Sequence, residues 1–253
     1  DALMSSDKSL QEVLDAIYEM AVRKIEANKS RKDGEKYAEL VRIRLGTRLP
    51  VYIPQRITGD LTRILTDFKN KSSKIGINQF FIQTHFESAM EITPEAHEGI
   101  KKLISAGWTV TNQHVLTASS SRRGHTARLR KVLNEIGVLG YYTFSVKGYM
   151  ENQHNFATNA RAVQEQVEEK VYGLVPEKFH SRIRSFPITA EKMVENISEL
   201  LKTAKLPFIA TDRNILNLPG VGKSLTFRVI GITRYGRRIL EFEHDVTRNH
   251  SPL

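Results

Sequence analysis

Lys223 follows a glycine-rich stretch, Leu218-Pro219-Gly220-Val221-Gly222-Lys223-Ser224, the sharpest local feature of the chain. Glycines let backbone approach a ligand closely, and a lysine beside them can form an imine or contact a phosphate. A plain turn, a Schiff-base lysine and a nucleotide loop are the three readings of these residues. The third needs a glycine five residues before the Gly-Lys pair, where Asn217 stands. It must also open a helix, whereas Thr226 onward has the composition of a strand.

A second set of polar residues closes a series of apolar segments: Thr84-His85-Phe86-Glu87, Asn112-Gln113-His114, and the run from Tyr141 to Lys147. Polar groups at the C-terminal ends of successive parallel strands lie where βα loops build binding sites. His85, Gln113 and Lys147 are therefore expected to converge, although each alone also reads as a hydrogen-bonded loop residue. Arg122-Arg123-Gly124-His125, with Arg128, Arg130 and Lys131, forms a basic cluster at a helix start. It reads as a solvated helix face or as a contact for phosphates. Aromatic residues do not interleave with it as a platform for single-stranded nucleic acid requires.

The elements that must position these groups alternate regularly. Strands are expected at Val41–Gly46, Gln79–His85, Thr109–Leu116 and Gly140–Val146, with a fifth at Pro207–Ala210. Their starts lie about 30 to 40 residues apart, the size of a strand–helix unit. Ser9 and Glu12 have capping-box spacing ahead of one helix, and Thr58 precedes another. Thr93-Pro94 opens a third that Gly107 closes. His125–Ile136 and Asn159–Tyr172 are two more, and Thr189 opens the stripe Met193, Val194, Ile197, Leu200 and Leu201. Short strands feeding capped helices give an α/β fold with a parallel sheet, open or closed into a barrel. Leu174–Pro187 departs from the rhythm. After Gly222, Thr226–Ile232 and Ile239–His244 read as a hairpin joined by Thr233-Arg234-Tyr235-Gly236.

The 253 residues are 40% hydrophobic and 26% charged, which excludes a disordered or collagen-like chain. No apolar run approaches a membrane span. The chain contains no cysteine, so it has no disulfide, thiol nucleophile or thiolate ligand for zinc or iron–sulfur of its own. A net charge of +10 favours anionic ligands without support for nucleic acid. The expected compartment is the cytoplasm.

In order along the chain, Gly46-Thr47-Arg48-Leu49-Pro50-Val51, Pro54-Gln55-Arg56-Ile57-Thr58, Thr84-His85-Phe86 with Glu91-Ile92-Thr93, Asn112-Gln113, Tyr141-Tyr142 and Pro219-Gly220-Val221-Gly222-Lys223 resemble the latter part of the lysine 2,3-aminomutase family of radical S-adenosylmethionine enzymes. Asp1 resembles the end of that family's Gly-Gly-Asp strand motif. The resemblance implies an incomplete radical-SAM-type β/α barrel over 1–216, with 174–206 an insertion relative to the lysine enzymes. A pyridoxal-lysine loop and C-terminal antiparallel strands follow over 217–253. It implies three cofactors: a [4Fe–4S] cluster, S-adenosylmethionine and pyridoxal phosphate. The family's activity is transfer of an amino group from the α- to the β-carbon of an amino acid.

Carried over by residue, Lys223 matches the lysine that binds pyridoxal phosphate as an imine, and His85 and Gln113 match positions lining the S-adenosylmethionine site. Lys147 and Asn217 fall where the lysine enzymes place two aspartates around the substrate's distal ammonium. A lysine and a neutral amide repel a cation and welcome an anion. Like charges about 4 Å apart cost roughly 4 kcal/mol at an effective dielectric near 20, enough to decide substrate choice. With the insertion, this pair resembles glutamate 2,3-aminomutase and implies an acidic amino acid as substrate. The family's three-cysteine loop and upstream arginines have no match here. The chain is therefore expected to be the C-terminal portion of a longer enzyme, inactive alone and homo-oligomeric when complete. The rival expectations are a lysine 2,3-aminomutase-like enzyme of other substrate and a phosphate- or nucleotide-binding, non-enzymatic domain.

Overall fold

The computed structural model describes residues 1–145, 154–157, 161, 165, 168–169, 173–209, 216–217, 227–236 and 238–242. Five parallel strands form one sheet in strict sequence order: β1 (Arg42–Gly46), β2 (Gln79–Thr84), β3 (Thr109–Val115), β4 (Leu139–Ser145) and β5 (Leu216–Asn217). Each crossover moves the chain one place in the same direction. The order never reverses as it does in doubly wound sheets. Among the described residues the fifth strand is Leu216–Asn217 and not the expected Pro207–Ala210 segment, whose described part, 207–209, is no strand. There Ile209 instead donates its backbone N–H to the buried Asn134 side chain at 2.5 Å, and the sheet gains its last strand at Leu216.

The helices follow from their caps and stripes. In α1 (Asp7–Asn28) the N-cap is Ser6, whose hydroxyl accepts from the Ser9 amide at 3.2 Å, three residues before the expected box. Thr58 and Thr93 cap α3 (Gly59–Ser73) and α4 (Pro94–Ser105) as expected, each accepting an amide at 3.2 Å. The short α2 (Leu49–Tyr52) lies between β1 and α3. Gly107 ends α4 with φ +83°, a left-handed turn that glycine adopts without steric cost. Helix α5 (His125–Glu135) leads to β4, and the described residues at 161, 165, 168, 169 and 173 are helical. Helix α6 (His180–Ser185) and a 3-10 segment (Phe186–Lys192) precede α7 (Met193–Ala204). Thr189 lies inside that 3-10 segment rather than capping α7, and its hydroxyl accepts from Asn196.

The two faces of β2 differ. Phe80, Ile82 and Thr84 are buried beneath the helices, whereas Gln79, Phe81 and Gln83 are half-buried on the opposite face. The helix side holds an aromatic cluster in which Trp108 lies 5.4 Å from Phe80 and 6.3 Å from Phe68, ring to ring. Its indole N–H donates to the Leu65 carbonyl at 3.1 Å, so the one polar atom of the ring is satisfied in the core. The 174–206 segment joins the same core through Val175, Phe186, Met193, Ile197 and Leu200. The antiparallel pair β6 (Phe227–Ile232) and β7 (Arg238–Phe242) follows the sheet, as the alternating sequence required. Among the described residues no helix is long and apolar enough to cross a membrane.

Candidate functional site

The C-terminal edge of β1 to β3 gathers the polar residues expected there. Gln83 Nε2 donates to Gln113 Oε1 at 2.7 Å, joining β2 to β3 on the open face of the sheet. His85 follows β2 directly. With Asp1, Thr47, Arg48 and Thr84, these three line a cleft of about 260 Å³. Two of the sequence-derived site residues, His85 and Gln113, therefore share one cavity.

Backbone placement in the cleft depends on two carboxylates and an amide. Asp1 Oδ1 accepts from the Thr47 hydroxyl at 2.7 Å, while its Oδ2 accepts from the Arg48 amide at 2.7 Å. Arg48 Nε donates to the His85 carbonyl at 3.1 Å, and its Nη2 lies 3.3 Å from Glu91 Oε1. Asn112, fully buried on β3, accepts from the Phe86 amide at 2.6 Å and donates to the Phe86 carbonyl at 3.0 Å. That two-way clamp fixes the residue after His85, and Phe86 is itself buried to 0% exposure.

The electrostatics set the protonation state of His85. Burial, and then the Arg48 guanidinium, lower its pKa to about 4, so the ring is neutral at neutral pH. Nε2 lies 3.4 Å from Glu87 Oε1 but makes no hydrogen bond, so a buried polar atom is left without a partner. With a neutral imidazole the contact is not an ion pair. Burial raises the Glu87 carboxyl, Arg48 acts against that rise and Glu91 adds to it. His114 is fully buried behind the edge, held well below the usual histidine range by burial first and Arg130 second.

The remaining site residues stand differently. Asn217 is in register with Ser145, which sets its backbone beside the end of β4, two positions short of Lys147 in sequence. The Asn217 side chain, Lys147, Lys223 and the glycine-rich loop lie outside the described residues. In the basic cluster, Arg130 is no solvated residue. It is 2% exposed beneath β4, with Nη2 donating to Thr143 at 3.2 Å and Nε 3.4 Å from Glu169 Oε1. Its burial is written in the spacing, because Thr126, Leu129, Arg130, Leu133 and Asn134 form one helical stripe. The clamping roles of Arg48 and Asn112 had no signal in spacing, since they act through backbone groups of another strand's loop.

No cluster of histidine, aspartate or glutamate able to hold a metal ion occurs among the described residues. No family model matches the chain. It is 36% identical over 169 residues, 67% of its own length and 23% of the relative's, to an uncharacterized KamA family protein of Methanocaldococcus jannaschii. To a glutamate 2,3-aminomutase of Clostridioides difficile it is 35% identical over 44% of its length and 25% of the relative's. An L-lysine 2,3-aminomutase of Bacillus subtilis is 41% identical over 30% of the chain and 14% of its own length. The matched stretches span a quarter or less of each of these relatives.

Proposed function

Because the chain belongs to the lysine 2,3-aminomutase family, we propose that it is part of a 2,3-aminomutase that moves the α-amino group of an acidic amino acid, L-glutamate, to the β-carbon. The five strands in sequential parallel order support an arc of β/α barrel, since that order is how such a barrel grows. One observation carries the site: His85 and Gln113 meet in one cleft at the C-terminal strand edge, where barrel enzymes place their chemistry.

The neutral His85 ring supports S-adenosylmethionine as the ligand of that cleft. A sulfonium ligand is cationic, and an imidazole held neutral beside it adds no repulsion while leaving Nε2 without a competing partner. His85 and the Gln83–Gln113 pair would hold this ligand, which when bound would supply the adenosyl carbon that takes a hydrogen from the substrate and returns it. Arg48 and Asn112 fix the loop that presents His85. A [4Fe–4S] cluster held by thiolates finds no ligand among these residues, because the sequence contains no cysteine. Pyridoxal phosphate is assigned to Lys223 on the motif alone.

At the substrate end, Lys147 and Asn217 are proposed to receive a side-chain carboxylate. The pairing of Ser145 with Asn217 supports this, because it brings the Asn217 backbone to the strand end from which Lys147 follows. The complete protein with pyridoxal phosphate should show an imine absorption band that Lys223→Ala abolishes. A variant that retains the band would displace Lys223 from its role.

A further inference from the structure

A second cavity, of about 560 Å³, opens between two rim loops. One wall is Glu87 to Glu91, and the other runs from Thr117 through the first turn of α5 to Arg128. It shares no lining residue with the His85–Gln113 cleft. Its volume falls inside the roughly 300–1,000 Å³ usual for small-molecule sites.

Most charges on the lining are already engaged. Glu91 faces Arg48 at 3.3 Å and accepts the Glu87 amide at 2.7 Å. Arg123 lies 3.1 Å from Glu168. The start of α5 is satisfied as well, because the Glu165 carboxylate accepts from the Gly124 and Thr126 amides at 3.3 and 2.9 Å. That leaves Arg122 and Arg128, both exposed and without an ion pair among the described residues. The other lining carboxylate, Glu87, is engaged too, 3.8 Å from Arg48. On the same wall Met90 is 89% exposed, an adaptable apolar surface.

We propose that this rim cavity binds a phosphate ester of a small organic molecule, the phosphate on Arg122 and Arg128 and the organic body against Met90. Guanidinium forks match phosphate oxygens in charge and geometry. A bare phosphate would leave most of the volume empty, which favours an ester.

Calorimetric titration of the full protein carrying this chain tests the site, with inorganic phosphate and adenosine monophosphate as separate probes. Both should bind saturably, the ester more tightly. Arg122→Gln with Arg128→Gln should weaken each by at least about tenfold, as expected for losing charge-assisted bonds. Arg23→Gln, at an exposed position of α1, should leave binding unchanged. If the double variant does not fold, Arg128→Gln alone should still weaken both probes. Absence of saturable binding, wild-type affinity in the arginine variants, or equal weakening by Arg23→Gln would overturn the site. An ester that binds no tighter than phosphate would overturn the organic half of the assignment. None of these outcomes touches the aminomutase reading, which is tested at Lys223 and Lys147.

Discussion

Replacing Gly140 by alanine should destabilise the protein far more than one methyl group suggests. Gly140 lies in register with Asn112 on β3, and the Arg130 guanidinium fills the space its Cβ would take. The added carbon would sit 2.9 Å from Nε and overlap the rest of the group. A flexible arginine in solvent would swing aside. Here the side chains of Arg130 and its ionic partner Glu169 are 2% and 4% exposed, and there is no water to swing into. Breaking a buried pair by removing one partner costs about 3–5 kcal/mol. The guanidinium is displaced rather than deleted, and its Nε–Glu169 contact is 3.4 Å without a hydrogen bond, so we expect about 3 kcal/mol. Urea denaturation of the full protein reads this loss. In an Arg130→Ala background the same substitution should cost under about 1 kcal/mol, because the clashing group is gone. A Gly140→Ala variant within about 0.5 kcal/mol of wild type, or equal costs in both backgrounds, would refute the packing argument.

Stability should also fall with acid through His85. Its folded pKa of about 4 lies below the ordinary 6.5, so the unfolded chain binds the proton more readily. The contribution is present above pH 6.5 and lost as pH falls toward 4, at most about 3 kcal/mol for one histidine. His85→Gln should flatten that part of a stability profile between pH 7 and 4.5, and an unchanged slope would contradict the neutral assignment. Asn112→Ala should cost about 2–3 kcal/mol by leaving the buried Phe86 N–H and C=O unpaired. It should also speed hydrogen exchange at the Phe86 amide, and unchanged protection there would remove Asn112 from its clamping role.

What the sequence disclosed follows from which forces act locally. Strands β1 to β4 stand within a residue or so of expectation because short apolar runs with polar ends mark them along the chain itself. Thr58 and Thr93 cap their helices because a cap is a contact three residues long. Ser9 lost that role to Ser6, since two serines at one helix start differ only in which backbone turns first. Pro207–Ala210 has strand composition, yet the Ile209 N–H is taken by Asn134, a partner seventy-five residues away in sequence. The site divides in the same manner. His85 and Gln113 were visible as strand-end polar residues, but the tie between them runs through Gln83, and their loop is held by Arg48 and Asn112. Such partners are set by sheet register, which no single segment encodes. Charge alone puts Arg130 on a solvated face, whereas its place on the apolar stripe buries it beside Glu169 and Thr143.

The substrate assignment is tested most directly by turnover of L-glutamate against L-lysine in the complete, cofactor-loaded enzyme and in its Lys147→Asp variant. The wild type should convert glutamate to its β-amino isomer in preference to lysine, and the variant should lose that preference or reverse it. A wild type that prefers lysine, or a preference indifferent to Lys147→Asp, would contradict an anion-receiving pocket at Lys147 and Asn217.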